Sequence, residues 1–227
     1  MKVLELHPWH VSAHEAADIQ RTLRAKVRQT PIDRGQIKYV AGADVSYSRG
    51  SDDIYAAVVV LSYPDLHVVE EKVAVRTSPF PYIPGFLSFR EGPAVLAAFQ
   101  KVTITPDVII FDGQGVAHPR GLGIASHMGL LLDRPSIGCA KSVLVGTYDE
   151  PGTERGSWSP LSKGEEQIGV ALRTRAAVSP VFVSVGHRID IWGAIEVVLT
   201  CAPRYRLPEP IRKAHLLSNT ARAGRFS

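Results

Sequence analysis

Residues 108–111, Val-Ile-Ile-Phe, form an apolar run without polar alternation, and Asp112 and Gly113 follow at once. A strand without a polar face cannot lie with one side in water. This run therefore predicts a strand covered by helices on both faces, as in the parallel part of an α/β sheet. Ligands of open α/β sheets are held at the carboxyl ends of such strands. Asp112 is then either a functional carboxylate at a sheet end or one member of a tight Asp-Gly turn.

The flanking segments supply the sheet and its cover. Residues 12–28 read as an amphipathic helix, with Ser12 as N-cap and Glu15 completing a capping box. Residues 38–47, 54–63 and 66–77 are β-rich and joined by short connectors at 48–53 and 63–65. They predict a three-stranded meander whose third strand is an exposed edge. A proline-rich segment at 78–93 leads into a helix of about three turns ending near Lys101, with Pro93 in its first turn. A strand at 107–111, a helix near 122–132 and a strand at 136–141 follow, then an extended region to Arg175. A strand at 180–189 and helices at 189–201 and 208–224 close the chain, the last opening on Pro210. A meander followed by β/α units assembles as helices on a mixed sheet, an α/β fold.

The chain has 227 residues, 45% hydrophobic and 21% charged, which suits one globular domain over residues 1–227. Cys139 and Cys201, its two cysteines, sit in apolar segments, which predicts buried thiols in a reducing, cytoplasmic setting. His7, Pro8 and His10 interrupt any signal-peptide core, and the longest apolar run, at 56–61, is far short of the ~20 residues that span a bilayer. The expectation is no membrane association, and nothing in the pattern demands an oligomer, so a monomer is expected. Net charge is +4, with basic residues in two groups: Arg21, Arg24, Lys26, Arg28, Arg34 and Lys38, then Arg204, Arg206, Arg212, Lys213, Arg222 and Arg225. They suit a polyanion or simply solvate helix faces.

Several residues are candidates for chemistry. Asp44 lies mid-strand in Val-Ala-Gly-Ala-Asp-Val-Ser-Tyr, where an ionised carboxylate is expensive unless paired or bound to a cation. Glu91 has a structural alternative, because Ser88-Phe-Arg-Glu91 reads as a capping box. A third acid beside two strand-borne aspartates would make an all-oxygen site suited to Mg²⁺ or Mn²⁺ rather than zinc. Lys141 ends the strand expected beside Asp112, where an ammonium could neutralise a phosphate, or it simply snorkels from a strand end. His118 follows the glycine loop, and His215 lies one turn beyond Ile211 on the expected inner face of the last helix; each is a catalytic candidate or a satisfied core histidine. Tyr82, between prolines in Pro-Tyr-Ile-Pro-Gly, either points outward as a wedge for a base stack or folds onto the core. Gly-x-Gly occurs twice, but the third glycine and the ribose-binding acid of a dinucleotide site are missing.

Four segments in order, Ala-Gly-Ala-Asp-Val-Ser-Tyr (41–47), Pro-Tyr-Ile-Pro-Gly-Phe-Leu-Ser-Phe-Arg-Glu-Gly-Pro (81–93), Phe-Asp-Gly-Gln-Gly-Val-Ala-His-Pro-Arg-Gly-Leu-Gly-Ile-Ala-Ser-His-Met-Gly (111–129) and Ser-Ile-Gly-Cys-Ala-Lys-Ser (136–142), closely resemble the endonuclease V family. The resemblance implies a ribonuclease H-like fold, a mixed central sheet flanked by helices. It also implies a Mg²⁺-dependent endonuclease, with Mn²⁺ able to substitute, acting on DNA that contains deoxyinosine or other deaminated bases. The implied cut is the second phosphodiester bond 3′ to the lesion, leaving 3′-hydroxyl and 5′-phosphate ends; inosine-containing RNA is a further candidate substrate. By motif position Asp44, Glu91 and Asp112 are the implied metal ligands, supported in catalysis by Lys141 and His215. Tyr82 is the implied wedge, and Gly85, Leu87, Gly113, His118, Gly123, Ile124 and Gly138 belong to the implied substrate pocket. Glycines there let backbone approach a flipped base closely. The rival readings are a structure-specific nuclease of the same fold and a noncatalytic nucleic-acid-binding protein.

Overall fold

The apolar run is strand β4 (Val108–Phe111), all four of its residues buried. In the computed structural model, which describes residues 1–48 and 52–224, β4 pairs in parallel with β1 (Tyr39–Tyr47) on one side and β5 (Ser136–Ala140) on the other. Strands β2 (Asp53–Ser62) and β3 (Val68–Thr77) extend the sheet beyond β1 as an antiparallel meander. Beyond β5 come β9 (Val181–His187), β8 (Glu166–Leu172), β7 (Trp158–Lys163) and β6 (Thr147–Tyr148), all antiparallel. The order among the described residues is β3-β2-β1-β4-β5-β9-β8-β7-β6. Arg49, Gly50 and Ser51 of the expected 48–53 connector, and Arg225 of the second basic group, lie outside the described residues.

The described residues form five α-helices, α1 (Ala13–Arg24), α2 (Leu87–Gln100), α3 (Ile124–Leu132), α4 (Ile191–Cys201) and α5 (Glu209–Arg222); α2 to α5 pack on the sheet, and α1 packs outside α3. Alternation along β1 and β4 divides the core in two. Ala41, Ala43, Ile109 and Phe111 join the α2 and α3 side, whereas Val40, Val108 and Ile110 join the α4 and α5 side. Cys139 and Cys201 are buried free thiols, and burial pushes Cys201 up to about 12. Among the described residues no helix is long and apolar enough to cross a membrane.

Three expectations are corrected. The expected extended region up to Arg175 holds β6, β7 and β8. Pro160 and turn glycines obscured them, although the buried alternation of Ser159 and Leu161 shows a strand with one face on the core. Helix α1 has the predicted capping box but stops at Arg24 rather than Arg28. Helix α2 starts at Leu87, so Pro93 falls in its second turn. Phe86, with no side-chain cap bond, holds the N-cap position, which removes the Ser88–Glu91 capping box. Ser88 and Glu91 instead turn inward, to the partners described below.

Helix α5 lies close on β1 because residue 42 is glycine. A Cβ there would collide with the Pro210 carbonyl and reach the Ile211 amide nitrogen at 2.6 Å. Gly42→Ala should push the start of α5 off the sheet and cost about 1–3 kcal/mol of stability, read as a lowered denaturant midpoint. Because the same helix carries His215, the contact of His215 with β1 should weaken with it.

Candidate active site

The register of β1 against β4 ends at Ala43 beside Phe111, so Asp44 and Asp112 come next, side by side where the parallel pairing stops. One face of β1 reads out against α5. Gly42 admits Pro210, Asp44 Oδ2 lies 2.8 Å from His215 Nδ1, and Ser46 Oγ donates to the Ser218 carbonyl at 2.7 Å. The opposite face carries Tyr47, whose hydroxyl is hydrogen-bonded to Glu91 Oε1 of α2. Arg90 stands over the Tyr47 ring at 5.5 Å.

Burial sets the electrostatics. Desolvation raises the Asp44 carboxyl above its ordinary value, the Asp112 charge adds to this, and the His215 hydrogen bond opposes it. Glu91 is pushed up to about 8, first by desolvation and then by the Asp44 and Asp112 charges against the Tyr47 bond. Lys141 reaches from the end of β5 to Asp112 Oδ2 at 2.5 Å, which sets aside its reading as a snorkelling lysine. His215 shares a face with buried Ile211, yet its side chain is 55% exposed rather than inside. Asn219 Nδ2 lies 3.1 Å from its Nε2, which leaves Nδ1–H as the donor to Asp44.

The donor set fits a hard divalent cation. It is all carboxylate oxygen, and added positive charge offsets the burial, and the lesser mutual repulsion, that raise Asp44 and Glu91. Among the described residues no three His, Cys, Asp or Glu side chains are gathered closely enough to share an ion as they stand. Each carboxylate is turned to a donor of its own: Asp44 to His215, Glu91 to Tyr47 and Asp112 to Lys141.

A cavity of about 330 Å³ opens beside Asp112 and Lys141. Tyr82, Gly85, Leu87, Gly113, His118, Gly123 and Ile124 all line it; Gly138 does not. Gly138 lies beneath the glycine loop, where a Cβ would strike the Gln114 carbonyl carbon at 2.7 Å, so its role is to let that loop settle on β5. Phe80, Ile83 and Phe86 tuck into an apolar cluster with Ala16 and Phe89, which leaves Tyr82 69% exposed. The outward orientation of Tyr82 is the one adopted.

The Gly85 carbonyl ties this loop down. It accepts from Gln20 Nε2 at 3.0 Å and Arg120 Nη2 at 2.7 Å, and His118 Nε2 lies 3.0 Å away. His118 Nδ1 accepts from the Arg120 amide at 3.2 Å, so Nε2 carries the proton and the ring is neutral. Desolvation, then the Arg120 charge, lowers it to about 4. With both nitrogens engaged, His118 offers the cavity its ring surface. Sequence reasoning missed Gln20, whose only signal is an amide among the buried positions Ala16 and Leu23 of α1. It also missed Tyr47 and Arg120.

A second polar chain fastens the two walls. Ser88 Oγ, in the first turn of α2, lies 2.9 Å from Nδ1 of fully buried His127 on α3. His127 Nε2 lies 2.7 Å from His7 Nε2, and His7 Nδ1 lies 2.8 Å from the Pro8 carbonyl. A carbonyl only accepts, so the direction is fixed: His7 donates to Pro8, His127 donates to His7 and Ser88 donates to His127. Leu87 and Ile124 of the cavity stand on the helical turns so joined.

The two basic groups are partly used within the fold. Arg21 pairs with Asp18, Arg24 with Glu166, Arg34 with Glu196 and Arg212 with Glu209, while Arg206 and Arg222 donate to backbone carbonyls.

Comparison with known proteins gives the family and the fold. Residues 21–216 match the family model described as endonuclease V. The endonuclease V of Trichormus variabilis is 51% identical over 219 residues, covering 96% of this chain and 99% of that protein. The crystal structure of the Streptomyces avermitilis endonuclease V superposes with a TM-score of 0.92 at 43% identity, covering 99% of both chains. The Ciona intestinalis endonuclease V, solved with a 24-mer DNA containing an inosine followed by a ribo-adenosine, gives 0.84 at 30% identity, covering 93% of this chain and 98% of that one. The shared architecture is a ribonuclease H-like nuclease fold.

Burial holds His127 well below the ordinary imidazole value of 6.5. The unfolded chain therefore binds the extra proton first, and this contribution to stability is complete above 6.5 and lost as pH falls below it. His127→Gln should cost about 1–3 kcal/mol at pH 7. It should also show a shallower loss of stability than the parent between pH 6.5 and 5, measured by denaturant titration at each pH.

Proposed function

The chain belongs to the endonuclease V family, and from that premise we propose that it nicks DNA containing deoxyinosine at the second phosphodiester bond 3′ to the lesion, leaving 3′-hydroxyl and 5′-phosphate ends. The observation that carries the reading is the cavity of about 330 Å³ whose wall includes both Asp112 and Lys141. A base-sized space and a charged cluster suited to phosphate hydrolysis share one rim.

In this reading Asp44, Glu91 and Asp112 hold Mg²⁺, or Mn²⁺ in its place. Such an ion, when bound, supplies Lewis acidity at the phosphate and a water of lowered pKa. The protein's own groups do the rest. Lys141, on the rim beside Asp112, brings an ammonium to the phosphate to be cut. His215 holds the Asp44 carboxylate through Nδ1–H and is itself held by Asn219. Tyr47 anchors Glu91 from the other face of the same strand. Gly85, Gly113 and Gly123 bring backbone to the extruded base, and Tyr82 fills the space it leaves in the stack.

The deciding experiment compares an end-labelled duplex carrying one deoxyinosine with its undamaged twin, with Mg²⁺ and then with EDTA. The expected product is a Mg²⁺-dependent nick one nucleotide beyond the lesion. Equal cutting of both duplexes would favour a structure-specific nuclease, and binding without any nick a noncatalytic protein. Asp112→Ala should lower nicking by about 10³-fold or more while lesion binding remains measurable by fluorescence anisotropy. Tyr82→Ala should weaken affinity for the deoxyinosine duplex by about tenfold and for undamaged DNA far less; equal losses on both would remove the wedge role.

A further inference from the structure

Lys141, Ser142 and Val143 line two cavities at once. One is the base cavity. The other, of about 480 Å³, lies across this three-residue partition and is walled by Tyr148, Phe182 and Arg206. Lys141 pairs with Asp112 at the partition, so the two cavities flank the charged cluster.

The second cavity has the chemistry of a nucleotide subsite. Tyr148 is 37% exposed, and its ring meets Phe182 in a T-shaped contact, centroids 5.0 Å apart and planes at 69°. This contact holds the phenol in place and leaves ring surface open to the cavity. The guanidinium of Arg206 is fixed by donating through Nη2 to the Lys141 and Pro180 carbonyls, both at 2.7 Å. Among the described residues no carboxylate lines the cavity, while Arg206, and Lys141 from its pair with Asp112, bring positive charge to it. A held aromatic ring beside fixed cations suits a nucleobase on its sugar-phosphate.

We propose that this cavity receives the first nucleotide on the 3′ side of the cut, its base stacked on Tyr148 and its phosphate drawn toward Lys141. The proposal rests on the function given above, which fixes the direction. With the lesion in the first cavity and the cut one nucleotide further, the strand crosses the partition as it continues 3′.

The test is a cycle of two proteins and two substrates. Both duplexes carry deoxyinosine; in one the nucleotide immediately 3′ of the cut keeps its base, and in the other it is a tetrahydrofuran residue without a base. For the parent protein, loss of that base should lower kcat/KM by about tenfold. For Tyr148→Ala the same loss should cost less than about twofold, and Tyr148→Phe, which keeps the ring, should behave as the parent. A parent indifferent to the base overturns the proposal without any variant, as does Tyr148→Ala losing equally on both substrates. If the parent cuts no deoxyinosine duplex at all, the functional reading itself falls and takes the subsite with it. Specific nicking with no response at the 3′ position removes the subsite alone.

Discussion

Three carboxylates, Asp44, Glu91 and Asp112, are carried into one partly buried region beside the parallel strands, where desolvation and the lesser charge between them raise two of the three. Asp44 and Asp112 come from neighbouring parallel strands, and Glu91 comes from the helix packed on one face. Each is matched by a donor from elsewhere: His215 from α5, Tyr47 from the far end of β1 and Lys141 from the end of β5. The two raised carboxyl groups measure how far burial and mutual charge exceed what those donors return. A divalent cation among hard oxygen donors relieves the same imbalance, which ties the electrostatics of the site to the chemistry of phosphodiester hydrolysis.

The cavity beside Asp112 depends on contacts distant in sequence. Gln20 joins the Gly85 and Leu122 carbonyls, and Arg120 holds Gly85 while lying over the Phe86 ring at 4.1 Å. Ser88, His127 and His7 join α2, α3 and the N-terminal segment through neutral groups only. Rigid walls of this kind let Tyr82 remain outside while the loop carrying it stays fixed, because Phe80, Ile83 and Phe86 anchor its other side chains in the core. Preorganisation of the pocket is therefore distributed over α1, α2, α3 and two loops.

Much was legible in the sequence. The continuous apolar run at 108–111 predicted a strand buried on both faces, and Asp44 amid small apolar residues was marked by the cost of burying a charge. The motifs around Tyr82, Asp112 and Lys141 carried the family. Glu91 was less legible, because Ser-x-x-Glu at a helix start has a local explanation that the helix boundary at Leu87 removes. Strands β6 to β8 were hidden because β6 is an edge strand of two residues, Pro160 interrupts β7, and the hydrogen bonds that pair them leave no mark in a one-dimensional pattern.

By itself the sequence determined the parallel centre of the sheet, the acidic residues at its end and the glycines beside them, since burial, charge and backbone freedom are properties of residues in order. Only the tertiary structure decided which side chains meet. His215 faces Asp44 because glycine at 42 lets α5 lie close on β1, and Glu91 faces Tyr47 because α2 begins one turn earlier than its proline suggests. Gly138 supports the loop rather than the cavity because its neighbours are backbone atoms of residues 113–115. Such pairings depend on distances between segments that the chain order does not contain, and those distances are set by packing.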